Sequence, residues 1–529
     1  MRREWLIFIA LGGVLVGTPV LGQTFTNDDP VIRAIWEEGI ENSQTARLAQ
    51  ALLDSIGPRL TGSPGMEAGQ EWLIRHYDEW GIEAAKEPYG TWMRWQRGRT
   101  HVDLLEPRVR SLEAMLLAWS PGTAGRVVRG RMVTLPEVAD EGAFDAWLPN
   151  ASGKFVLVSF PQPTCRPDSD WEEWATEETV ERMRALRQAA QEEWNVRMHA
   201  AAPDAPDRGR VRAIARRLEE AGAIGALTSN WSGGWGVHRV FSAGTRSMPS
   251  LAVACEDYGL LARLAANRQN PEIEVFAEAE FLGEGPVFNV VGSIPGSERP
   301  DEYVMLSAHF DSWDGSSGAT DNGTGTITML EAMRILTKVY PSPKRTILVG
   351  HWSGEEQGLN GSRAFTEDHP EVMEGLQALF NQDNGTGRVV RMSSQGLTDA
   401  AGYLARWLAQ IPQDITRQID FSFPGLPSGG GSDHASFICA DAPGFSLGSL
   451  SWNYFSYTWH TNRDTYDKIS FDEVRNNATL TAMLAYLASE EETRTPRKRR
   501  TELGVSSSSG EPRSWPECRP ARRDWSARQ

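Results

Sequence analysis

The 529-residue chain is predicted to be an α/β protein built on a mainly parallel, mixed sheet with helices on both faces. Two observations predict it. From residue 286 onward, short apolar runs alternate with amphipathic stretches at three-to-four spacing, as in strand–helix–strand units. Acidic and imidazole residues then recur at the ends of the apolar runs, where open parallel sheets collect their ligands. At 40% hydrophobic and 23% charged residues, the composition is that of an ordinary globular chain.

The elements follow in order. Arg2 and Arg3 precede an apolar stretch from Trp5 to Val16, and small residues end at Gly22 before Gln23. This reads as a signal peptide over residues 1–22, too short for a ~20-residue membrane span; an uncleaved anchor is the alternative. The chain is therefore expected to be secreted or periplasmic, touching a membrane only during export. Residues 27–80 read as helical, broken by the turn-rich "GPRLTGSPG" and stopped at Gly81. Residues 23–110 are assigned to the N-terminal part of the main domain. From 111 to 285 the texture changes. "GKFVLVSF", "GAIGALTSN" and "MPSLAVAC" read as strands of a separate α/β unit. The charged helical stretch 168–221 between them is expected to be a solvated extension. From 286 to 492, "PVFNVVGSIPG" and "EYVMLSAHFD" read as strands. "GTGTITMLEAMRILTKV" reads as a helix, and "KRTILVGHWSGEE" and "ALFNQDNGTG" as strands running into loops. "SFDEVRNNATLTAMLAYLAS" closes the unit as a helix. The tail 493–529 is basic and rich in serine and proline, and is expected to be disordered.

A net charge of −17 argues against nucleic-acid partners, which require a basic footprint. The four cysteines, Cys165, Cys255, Cys439 and Cys518, lie far apart without metal-ligand spacing; they are expected to be structural or free thiols, with no pairing assignable. Of the 20 tryptophans, most are expected in the core, with an aromatic-lined cleft around Trp231 and Trp235 as the alternative.

The chemistry concentrates at the strand ends. His309 and Asp311 close one run, Asp321 stands in the following loop, Glu355 and Glu356 close the next, Asp383 the next, and His460 lies in "SYTWHTNRDT". Singly, each has a structural alternative: a solvated pair, or a hydrogen-bonded histidine. Together, in order and at successive ends, they point to one rim. Two histidines and carboxylates without cysteine suit zinc or a similar divalent ion. Three carboxylates among five ligands suggest two ions sharing one, with Asp321 the natural bridge. Two divalent ions carry four positive charges against three from Asp321, Glu356 and Asp383. The residue of positive charge favours hydroxide over water on the metal. Glu355 is then free to act as general base, and Asp311 is placed to accept the second ring N–H of His309. His351 is read as core, and His369 and His434 are not counted as ligands. Asp464 either orients His460 or caps a turn. Asn322 and Gly323 serve a backbone that aims Asp321.

The motifs "SAHFDSW…GATDNGTG", "SGEEQGLNGS", "NQDNGTG", "GSDHASF" and "WHTNRDTYDKI" resemble those of the secreted co-catalytic zinc peptidases, a family that includes bacterial leucyl aminopeptidase and the glutamate carboxypeptidases. The resemblance covers about 286–490, with an N-terminal echo in "GPRLTGSPGMEAGQEWL". It implies a zinc-exopeptidase fold of the phosphorylase/hydrolase-like type with an inserted protease-associated α/β domain. It implies that His309 and Asp383 hold one zinc and Glu356 and His460 the other, with Asp321 bridging. It further implies Glu355 as base, Asp311 behind the ligands and a cis bond after Asp321. "LLDSIGPRLTGSP", "LEPRV" and "SWNYFSYTWHTNRDT" resemble the plasma glutamate carboxypeptidase branch, which acts on short peptides. The stretch "PSGGGSDHASF" lacks the tyrosine loop of the leucyl aminopeptidases, so Tyr454 or Tyr457 is the candidate oxyanion donor, with Asn322 nearby in the substrate region. No arginine pattern for a glutamate pocket is evident. The expected activity is hydrolysis of short peptides by a dipeptidase- or carboxypeptidase-like exopeptidase with two Zn2+ ions, as a possible homodimer. The alternatives are an aminopeptidase, a single-zinc glutaminyl-cyclase-like enzyme and a non-catalytic receptor-like protein.

Overall fold

The computed structural model describes residues 28–525, apart from Asn384 and Ser508. The expected signal peptide lies outside the described residues, as do residues 526–529.

The core of the main domain is a run of parallel strands in the order Gly444–Ser449, Leu376–Asn381, Arg299–His309, Arg345–Trp352. The chain lays down Arg299–His309, steps to Arg345–Trp352 on one side, then crosses to Leu376–Asn381 on the other. The strand order therefore reverses beside Arg299–His309, and a crevice opens there at the carboxyl ends. Every residue of Arg345–Trp352 and of Leu376–Asn381 is buried, because helices cover both faces. Thr324–Val339 and Phe471–Glu490 pack together on one face, and both are buried over most of their circumference. The N-terminal helices add Ile32, Ile35, Leu48 and Leu52 to the same core.

Two long strands, Glu83–Glu106 and Glu272–Ile294, pair antiparallel over nearly their whole length. Their far end carries the second sheet, with Val128–Thr134, Phe155–Leu157, Gly225–Thr228 and Ser250–Val253. The strands expected within 111–285 are thus present. The boundaries expected near 110 and 286 are not breaks in the chain, since one ribbon runs through both units. It escapes a reading by pattern because charged residues are scattered along it while its partner is almost 200 residues away in sequence. The charged stretch 168–221 forms the helices Asp168–Trp174, Glu177–Ala201 and Asp207–Glu220. Arg187 of that extension stacks over Trp231 at 5.0 Å, and Arg166, just before it, over Trp235 at 5.2 Å.

The tail corrects its expectation of disorder. Through residue 525 it is packed on the body: Cys518 is bonded to Cys439, the Trp515 indole donates to Arg500 O at 2.8 Å, and Arg523 pairs with Glu367 and Asp368. Trp525 sits on Trp92 and Trp119 at 5.4 and 5.1 Å. Basic, proline-rich composition suggested a free chain, but a few anchors of this kind outweigh it. Cys165 and Cys255 form a second disulfide, so no described cysteine is free. No helix among the described residues is long and apolar enough to cross a membrane.

Two histidines are sealed in the fold as neutral rings. His351 faces the Tyr77 hydroxyl at 2.6 Å, and burial holds its pKa down at about 3. His238 has neither ring nitrogen hydrogen-bonded, and burial, helped by Arg463 and Arg97, holds it at about 3. Unfolded, each accepts a proton near about pH 6.5. Between those values the unfolded chain binds more protons, so stability is full above that window and falls as pH drops through it. The limit is about 1.4 kcal/mol per pH unit for each ring. Scanning calorimetry should show Tm falling steadily from pH 7 to pH 4, and His351→Gln should show a shallower decline.

Candidate metal centre

Five ligand-type side chains arrive at the crevice from five connections. His309 is the last residue of its strand; Glu356 and Asp383 follow theirs by a few residues. Asp321 precedes the helix Thr324–Val339, and His460 follows the short helix Tyr454–Tyr457. They form two triads with Asp321 in common: His309, Asp321 and Asp383, and Asp321, Glu356 and His460. Within each triad the candidate ligand atoms all lie within 4.8 Å of one another. His309 Nε2 stands 3.1 Å from Asp383 Oδ1 and 3.5 Å from Asp321 Oδ1. His460 Nε2 stands 2.8 Å from Glu356 Oε2 and 3.3 Å from Asp321 Oδ2. One carboxylate therefore turns one oxygen to each triad.

The electrostatics require positive charge here. Burial alone would keep His309 neutral, yet Asp383 and Glu355 outweigh it and lift its pKa well above the ordinary value. Burial raises Glu355 and Glu356 well above the usual carboxylate range, and neighbouring acids add to the shift. Asp321 is held low despite burial, by His309, His460 and the Tyr454 hydroxyl. His460 goes the other way from His309, down to about 4, because burial prevails. Asp321 Oδ2, Glu356 Oε1 and His460 Nδ1 are buried without a hydrogen-bond partner. Orphaned acceptors and crowded carboxylates fit divalent cations, which supply the charge that a proton on His309 otherwise provides.

The scaffold behind the triads is made of backbone hydrogen bonds. His309 Nδ1 lies 2.9 Å from the main-chain oxygen of Asp311 but 3.7 Å from its carboxylate. The ring's partner is thus the carbonyl, not the side chain expected from sequence. The Asp311 carboxylate instead accepts the N–H groups of Glu355 and Glu356, each at 3.2 Å, and the Thr61 hydroxyl. It sets where both glutamates begin. Asp464 caps the turn rather than orienting His460: its carboxylate accepts the N–H of Thr320 at 2.9 Å and of Asp321 at 3.0 Å. Burial, helped by Asp321, raises its pKa to about 7. Gly318 adopts φ +60° in this turn, and a Cβ there would come within 2.3 Å of Ser312 Cβ. The Asp321–Asn322 peptide bond is cis.

Asn322 does not face a substrate region. Its amide donates to Gln382 O at 2.9 Å and accepts Gly325 N–H at 3.1 Å, tying two ligand loops together. Tyr454 is buried beside Asp321, whereas the Tyr457 ring packs on Gly234 of the other unit. The aromatic wall of the centre is Trp459 stacked on His460 at 3.8 Å, with Phe241 at 5.1 Å and Trp313 at 6.0 Å.

Sequence reasoning missed two buried groups. Arg59, fully buried, donates to the carbonyls of Gly57, Phe310, Ser317 and Gly318 at 2.8 to 3.0 Å. Its signal was an arginine inside an otherwise turn-forming "GPRLTGSPG". Asp433 in "GSDHASF" is fully buried near Glu355, and burial raises its pKa to about 7. Its signal was a carboxylate just after a glycine run and just before the apolar turn Ala435–Ile438.

Residues 289–485 match the model of peptidase family M28. Carboxypeptidase Q from Mus musculus is 25% identical over 447 residues, 84% of this chain and 86% of that protein. Leucine aminopeptidase 1 from Pyrenophora tritici-repentis is 29% identical, over 37% of this chain and 54% of that protein. In three dimensions the fold is similar to that of the peptidase M28 precursor from Shewanella amazonensis. The TM-score is 0.64 at 21% identity, covering 88% of this chain and 97% of that one. A zinc aminopeptidase from Bacillus subtilis has the same fold, with a TM-score of 0.55 at 18% identity, covering 87% and 98%. Over residues 289–485 the chain is similar to the metallo-exopeptidases of family M28, and over most of its length to carboxypeptidase Q. The family's domain begins within the long ribbon and ends in Phe471–Glu490, so it encloses both triads.

Asp464→Asn places an amide where two backbone N–H groups donate. We expect a folded protein whose zinc affinity, by competition with a chelator, falls about 10- to 100-fold.

Proposed function

We propose that the chain is an exported, zinc-dependent exopeptidase of short peptides that binds two ions. The observation that carries this is the pair of triads sharing Asp321. His309 and Asp383 would hold one ion, Glu356 and His460 the other, and Asp321 would serve both. Bound there, zinc supplies Lewis-acid polarisation of the scissile carbonyl and acidifies water.

The protein's own groups do the rest. Glu355 is the general base. It is buried, and Asp383, Asp433 and Glu356 repel its charge, so it takes a proton readily and can pass it to the leaving amine. Asp311 holds the Glu355 backbone and thereby aims that carboxyl. The Tyr454 hydroxyl has its pKa raised well above the usual value by burial and by Asp321, so it stays protonated as a donor. It serves the developing oxyanion. The unit spanning 111–285 acts as a protease-associated-like insert that completes the rim. The two disulfides support export to an oxidising compartment.

A carboxypeptidase- or dipeptidase-like activity is favoured because the carboxypeptidase Q relatives align across both units. The aminopeptidase reading has the shorter leucine aminopeptidase match behind it. A panel of peptides blocked at either end separates the two. Dialysis against a strong chelator should abolish peptide hydrolysis, and zinc should restore it with two equivalents bound. Glu355→Gln should retain both ions and lose about 10²–10⁴-fold in kcat; full activity in that variant would remove the proposed base.

A further inference from the structure

The two glutamates of the centre ride on a strained loop. Between Trp352 and Asn360 the backbone takes positive φ three times, at Gly354 (+71°), Gly358 (+115°) and Leu359 (+58°). A leucine holds that conformation only where its surroundings determine it. Part of the constraint is local. Glu355 O accepts the N–H of Gly358 at 2.6 Å and of Leu359 at 2.9 Å, and Gly354 O accepts that of Asn360 at 3.0 Å. Asp311 adds the bonds from the N–H groups of Glu355 and Glu356.

The remaining constraint comes from the C-terminal segment. Arg522 donates Nη2 to Gln357 O at 2.8 Å and its own N–H to Asn360 Oδ1 at 3.2 Å. Asn360 Nδ2 reaches the same Gln357 oxygen at 3.4 Å. One residue of the tail thus joins the glutamate loop to the first residue of the helix Asn360–Asp368. Its guanidinium lies 4.8 Å over the ring of the buried Trp92, which favours one orientation of the fork. The segment is tied on both sides of Arg522. Ala521 N–H donates to Glu367 at 2.7 Å, Arg523 pairs with Glu367 and Asp368, and Arg523 O accepts Thr91 N–H at 2.7 Å. The approach is close enough that a Cβ on Gly90 would strike Arg523 O. Upstream, the Cys439–Cys518 disulfide anchors the segment to the main domain.

We propose that Arg522 is a positioning residue for the general base. Asp311 fixes the loop at Glu355 itself, and Arg522 closes it two residues later at Gln357, so the turn that aims the base carboxyl is held at both ends. Arg522 acts through main chain and contributes no group to the reaction. It lies outside the stretch 289–485 that matches the family model, so the base draws support from beyond that domain. The proposal rests on Glu355 being the base of a peptidase.

The test uses the full-length, zinc-loaded protein. It compares the wild type with Arg522→Ala, Arg522→Lys, Glu355→Gln and the double variant R522A/E355Q, each checked by thermal unfolding and zinc content. Arg522→Gln replaces the alanine variant if that one is unstable. Arg522→Ala should keep its zinc and its KM for a short peptide and lose about 10- to 100-fold in kcat, the size expected when a reacting group is misplaced. Arg522→Lys keeps a donor for Gln357 O and should recover part of that loss. In the Glu355→Gln background the alanine change should cost nothing further, because a residue acting through the base has no effect once the base is gone. An unchanged kcat in Arg522→Ala would overturn the proposal, as would a loss that multiplies in the double variant. Loss of zinc would also overturn it, since the effect would then fall on Glu356. A second arm is independent of hydrolysis. Hydrogen exchange read by mass spectrometry over residues 353–360 should run about 10-fold faster in Arg522→Ala than in the wild type, the change expected for one lost hydrogen bond. In Arg522→Lys it should return towards the wild-type rate. Absence of all peptide hydrolysis in the wild type would count against the peptidase reading, whereas unchanged exchange would sink the role of Arg522 whatever the activity.

Discussion

The constraint on which this molecule turns is a surplus of buried acid. Asp311, Asp321, Glu355, Glu356, Asp383, Asp433 and Asp464 converge at the carboxyl ends of three strands; among the described residues Arg59 is the fully buried arginine beside them, with the half-buried Arg363 facing Asp433 and Glu355. Burial lowers the pKa of Arg59 to about 10, while Asp464, Asp311 and Asp321 pull it back. Two guanidiniums cannot offset so many carboxyls. The remainder must be protonated or must meet cations. His309 and the raised carboxyl pKa values are the protonated solution. Divalent cations at the two triads would be the other solution, and the same crowding that makes the unliganded centre costly would favour them.

The loops that carry these acids are held largely by hydrogen bonds to main-chain groups. Arg59 ties the carbonyls of 310, 317 and 318, so the loop carrying Asp321 closes back on the strand end carrying His309. Asp464 fixes the same loop from the other side by its amides, and Asp311 fixes the two glutamates by theirs. Asn322 joins the Asp321 loop to the Asp383 loop. Backbone bonds leave the carboxylates' own oxygens free to face the centre, which is the requirement for a ligand set.

How much of this was legible follows from distance along the chain. Three of the five candidate ligands could be brought together from sequence because each sits at or just past the end of an apolar run that marks a strand end by local pattern alone. His309, Glu356 and Asp383 are of this kind. Asp311 was placed beside His309 correctly, but its partner was misassigned, since spacing does not distinguish a carbonyl from a carboxylate. Arg59 and Asp433 were illegible for a common reason: their roles exist only after segments far apart in the chain have met, Arg59 with the carbonyls of Phe310 and Gly318 and Asp433 with Glu355. The tail is the clearest case. Its composition describes a solvated chain, and only the position of Cys439 and of the Trp92–Trp119 surface turns it into a wall.

The insert is likewise no passenger, and His460 shows why. This residue adopts φ +60°, a conformation that non-glycine residues hold only when their surroundings determine it. The surroundings come from the insert. Val240 N–H donates to His460 O at 2.8 Å, His238 and Asn462 exchange bonds at 3.0 and 3.1 Å, and Phe241 closes on the imidazole. A loop segment of the insert thus sets the backbone of a residue in the centre, and the indole of Trp459 sets its ring plane. Any displacement of the insert relative to the sheet must act on the Glu356–His460 triad before it acts on the His309–Asp383 one. The two halves of the centre are therefore mechanically unequal: one is built into the central strands, and the other depends on the docking of a separate sheet.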